Sequence, residues 1–104
     1  MSSENDLEIA RELELQILLG TPAVYIVNRA QAKFVKELRG QEGQLGDLDA
    51  VALTLLLIAA GRADELERYR LWPGTAPTSY LPRAKELLLE AAREMQEELY
   101  QKGL

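Results

Sequence analysis

A chain of 104 residues, 47% hydrophobic and 28% charged, has the make-up of an ordinary globular protein, and residues 1–104 read as one domain. It has no cysteine and no histidine, which excludes disulfides, thiolate and zinc-thiolate chemistry, the usual general base and the commonest transition-metal ligand. A net charge of -5 argues against a dedicated nucleic-acid binder or a membrane-surface helix, and only residues 21–40, with four bases against Glu37, are basic.

The first stretch, Met1-Ser2-Ser3-Glu4-Asn5-Asp6, is acidic and lacks the basic start and apolar core of a signal peptide, so a cytoplasmic protein is expected. Ser3 followed by Asp6 resembles a capping box that opens a first helix near residue 4. That helix carries Ile9, Ala10, Leu13 and Ile17 on one arc, with Leu15 and Leu19 on the far side and Glu14 between apolar neighbours. Gly20-Thr21-Pro22 then ends one helix and caps the next, with proline where no amide hydrogen is lost.

The second expected helix runs to about Arg39. Its core stripe is Ala23, Ile26, Val27, Ala30, Phe34 and Leu38, widened by Val24 and Val35, and its opposite arc bears Arg29, Lys33, Lys36 and Arg39. The stretch from Gly40 to Gly46 has three glycines in seven residues and reads as a flexible loop.

The third helix organises the chain. Asp47 is its N-cap, Asp49 favours the positive end of its dipole, and Gly61 can end it in the left-handed conformation. On a helical wheel Leu48, Val51, Leu55 and Ile58 lie on one side and Leu53 and Leu57 almost opposite, with small residues such as Ala50 and Thr54 in the remaining arc. The uncharged run is too short to span a bilayer, which needs about 20 apolar residues. Asp64 is then expected to cap a short helix from Glu65 to about Leu71, with Leu66 and Tyr69 folding back on the core. Pro73 stops it and opens a connection whose Trp72 is expected to cover the end of the core. The last helix, near Ser79 to Lys102, has a single stripe of Leu81, Ala84, Leu88, Ala91, Ala92, Met95 and Leu99, with Leu89 and Tyr100 off it.

Candidate sites are few. The basic arc Arg29, Lys33, Lys36 and Arg39 can contact phosphates; the plainer alternative is a solvated face paired with acids of the first helix. Glu8 with Glu12, and Glu90 with Glu94, share helical faces, but without histidine a di-iron site fails, and solvated acid is the better reading. Glu14, if buried, would be a perturbed carboxyl, and the loop from Trp72 to Tyr80 can line a pocket. Phosphate-loop and dinucleotide motifs are absent.

The expected fold is all-α: four main helices and one short one, in a bundle or bundle-like array. On the wheel, one chain offers too few apolar faces for the third helix and part of the first. Leu15, Leu19, Ala50, Leu53, Thr54 and Leu57 are therefore expected at an oligomer interface, most simply a two-fold dimer. The function expected is non-catalytic self-association, as an assembly or scaffold module without cofactor or metal and without membrane insertion. Alternatives are a small nucleic-acid-binding subunit and a binder of a small apolar ligand between the third and last helices. Abundant Glu, Arg and Leu with little Asn suit a thermophile protein and equally an engineered chain.

Overall fold

The computed structural model describes residues 23–101. The expected first helix, with Glu8, Glu12, Glu14, Leu15 and Leu19, lies outside them. The described residues are all-α, without strands. Helix α1 spans Ala23–Leu38, the short α2 Glu42–Leu45, α3 Leu48–Ala59 and α4 Leu81–Gln101. Between α3 and α4 run four 3-10 turns: Ala63–Glu65, Glu67–Tyr69, Pro73–Thr75 and Thr78–Tyr80.

Helix α3 begins and ends where its sequence directs. The Asp47 carboxylate accepts the Asp49 and Ala50 amide hydrogens at 3.1 and 3.3 Å, which satisfies two donors that have no partner inside the helix. At the other end Gly61 has φ 74, which lets Arg62 N–H donate to the Leu57 carbonyl at 2.8 Å and close the last turn. Helices α1, α3 and α4 each pack against the other two, while α2 and the turns Ala63–Glu65 and Pro73–Thr75 add further cover to α3. Phe34, Leu38, Leu55, Leu56, Leu87 and Leu88 are the large, fully buried side chains at the centre. Phe34 meets the half-buried Tyr80 edge to face, with ring centroids 6.3 Å apart.

Several local expectations are corrected. The glycine-rich stretch is not plain loop, since it contains α2. There the Glu42 carboxylate accepts the Gly40 amide hydrogen at 3.0 Å, and Tyr80 OH donates to Gln41 Oε1 at 2.8 Å, tying the segment to the start of α4. The expected helix from Glu65 to Leu71 is two 3-10 turns instead. Leu66 is buried as expected, but Tyr69 stays 45% exposed because Arg70, at φ 57, turns the chain away.

Trp72 does not cover the core and is 73% exposed. Its backbone is extended, at φ -117 and ψ 119, as a following proline requires, and Ala76 is the buried residue of that connection. Leu89, expected off the stripe, is buried along with Leu87, because α4 packs on two helices and needs a wider apolar arc than one stripe supplies. Val24, expected to widen the core stripe of α1, is 55% exposed near the start of that helix.

Candidate functional site

The basic arc of α1 faces α4. The Arg29 guanidinium donates to both Glu98 carboxylate oxygens, at 2.9 and 2.8 Å, and lies 3.5 Å from Glu94, while Lys33 Nζ donates to the other oxygen of Glu94 at 2.5 Å. One turn on, the polarity reverses: Glu37 accepts from Arg83 of α4, which also reaches Glu86 and Glu90. Hydrogen bonding to Glu98 raises the Arg29 pKa, and hydrogen bonds to Glu37 and Glu86 raise that of Arg83, so both stay charged at any accessible pH. Two of the four candidate phosphate contacts are thus engaged inside the chain, leaving Lys36 and Arg39 exposed. Among the described residues the partners of Arg29 and Lys33 come from the last helix. The carboxylate pair Glu90 and Glu94 belongs to this same seam, and among the described residues no acidic cluster could hold a metal ion.

The described part of the expected oligomer interface divides in two. Ala50 and Leu53 are partly exposed, but Thr54 is 1% and Leu57 3% exposed in the single chain. The Thr54 hydroxyl donates to the Ala50 carbonyl at 2.7 Å, so its burial leaves no polar group unsatisfied. The turns Ala63–Glu65 and Pro73–Thr75 pack on α3 as well and supply cover that no periodicity announces. Leu15 and Leu19 lie outside the described residues.

Leu53 and Leu57 also line a cleft of about 230 Å³ between the start of α1, α3 and the turns after α3. Val24 and Val27 complete its apolar lining; Asn28, Arg62, Glu65, Arg68 and Tyr69 surround them. Arg62 is ion-paired with Glu65, three residues on. Between α3 and α4, the place of the alternative small apolar ligand, Leu55, Leu56, Leu87 and Leu88 are at most 2% exposed. Sequence reading missed the cleft because Val24 and Tyr69 were both assigned to the core. The exposed aliphatic and aromatic side chains meet only through the 3-10 turns, whose path the sequence does not dictate.

Among the described residues no helix is long and apolar enough to cross a membrane. Comparison with protein families, with curated proteins and with solved structures gives no match.

Proposed function

We propose that the chain is a non-catalytic helical module that works by self-association, as a scaffold or assembly unit in the cytoplasm. The observation that carries this reading is the set of large apolar and aromatic side chains held in water: Val24, Tyr25 at 62% exposed, Tyr69 and Trp72. Tyrosine and tryptophan, with arginine, are the residues over-represented where proteins meet, and Arg68 and Arg70 stand beside Tyr69 in the chain. The partial exposure of Ala50 and Leu53, against the burial of Thr54 and Leu57, supports an interface at the N-terminal end of α1 with Ala50 and Leu53. A two-fold dimer is the simplest closed arrangement, and the cytoplasmic setting accords with the absence of cysteine.

Light scattering after size exclusion tests it. The expected result is a mass above that of one chain, 11.7 kDa, which falls towards it in Tyr25→Lys with the helical signal intact. A single-chain mass for the unaltered protein at high concentration defeats the proposal. Binding of RNA or DNA at low salt, lost on removing Lys36 and Arg39, would favour the nucleic-acid alternative instead.

A further inference from the structure

We propose that the cleft between α1, α3 and the turn Glu67–Tyr69 binds a small amphipathic carboxylate, one aromatic ring or short alkyl chain bearing a single acid group. The cleft has an apolar body made by Val27, Leu53 and Leu57, with Val24 at its edge. Its volume of about 230 Å³ exceeds the ~150 Å³ that holds benzene in a protein core and falls short of the ~300 Å³ at which drug-sized sites begin. One ring with a short tail matches that space.

The charge at the mouth selects the tail. Two arginines line the cleft, and they are not equivalent. Arg62 is neutralised by Glu65, whereas Arg68 is exposed and forms no side-chain hydrogen bond or ion pair among the described residues. A guanidinium offers parallel N–H donors in a plane that a carboxylate accepts two at a time. Arg68 thus supplies an uncommitted, carboxylate-shaped contact beside the apolar side chains of the cleft, and the site requires that any second copy leave Val24, Leu53 and Arg68 open.

Phenylacetate and its neutral amide, phenylacetamide, are suitable probes, titrated into the full chain while backbone amide resonances are followed. Expected are saturable shifts at Val24, Val27, Leu53 and Leu57 with phenylacetate, half-complete at about millimolar concentration for a ligand of this size. Arg68→Gln weakens phenylacetate about tenfold, as loss of a charge-assisted hydrogen bond does, and leaves phenylacetamide unchanged. Leu53→Trp, which fills the cleft, abolishes the shifts for both. Absence of saturable shifts at these residues, or equal phenylacetate affinity in Arg68→Gln, overturns the proposal. Shifts at the same residues produced by raising protein concentration alone, and insensitive to phenylacetate, assign the cleft to a second copy and overturn it too.

Discussion

Leu57→Ala separates burial within one chain from burial between chains. Leu57 is 3% exposed in the single chain, so truncation removes a fully buried isobutyl group and leaves a cavity. Such changes cost about 2.5 to 4 kcal/mol, transfer and cavity terms together. A domain of this length has about 5 to 15 kcal/mol in all, so the variant stays folded but loses a large share. At about 5 °C per kcal/mol, the thermal midpoint falls by about 12 to 20 °C. The assay is circular dichroism melting of both proteins over a concentration series, because the stability of an interface depends on concentration and that of a core does not. A constant difference between the two proteins is expected at every concentration. A loss that shrinks on dilution, or one below about 1 kcal/mol, would refute the placement of Leu57 in the core of one chain.

Other perturbations test separate features. Thr54→Val replaces a hydroxyl that bonds its own helix with a methyl group, and the melting temperature is expected to hold or rise slightly, since no polar group is left unpaired. Arg70→Gly relieves a left-handed backbone at φ 57, and a net gain of about 0.5 to 1 kcal/mol is expected by urea denaturation, the side-chain strain outweighing the entropy of glycine. Arg83→Gln breaks contacts to Glu37, Glu86 and Glu90 on a 40% exposed side chain. The expected cost is about 0.5 to 1 kcal/mol at low salt, fading as salt is raised. Glu42 is held below the ordinary carboxyl pKa by hydrogen bonds from its own backbone N–H and that of Gly40. A lowered folded-state pKa gives stability that is present above the unfolded value, near 4.5, and lost as pH falls through the folded value. The stability difference between the unaltered protein and Glu42→Gln should therefore vanish on acidification, as followed by denaturation at a series of pH values.

What the sequence reveals of this fold is what local chemistry determines. Asp47 and Gly61 bound α3 as their side chain and backbone freedom require, and the stripe Ile26, Val27, Ala30, Phe34 and Leu38 buries one face of α1. What depends on distant neighbours is not legible. Arg29 and Lys33 look free on a wheel, and their acids sit more than sixty positions away in α4. Thr54 and Leu57 fall off the main stripe of α3 on a wheel, yet they are 1% and 3% exposed, and the 3-10 turns that pack on α3 follow no hydrophobic period. The cleft depends on the same turns. Trp72 illustrates the remaining gap, because the restriction imposed by Pro73 fixes its backbone as extended without saying that the indole then leaves the core.

The ion-paired seam between α1 and α4 also orders events in time. Its contacts join residues 46 to 69 positions apart, whereas Gln31 Nε2, which donates to the Asp49 carbonyl and links α1 with α3, spans 18. Closing the longer loop costs about 1 kcal/mol more chain entropy, which favours pairing of α1 with α3 before α4 docks on them. Contacts made after the barrier govern how fast a protein comes apart. Weakening Arg29, Lys33 or Arg83 should accelerate unfolding and leave the folding rate almost unchanged, which makes this solvent-facing seam a determinant of the molecule's lifetime.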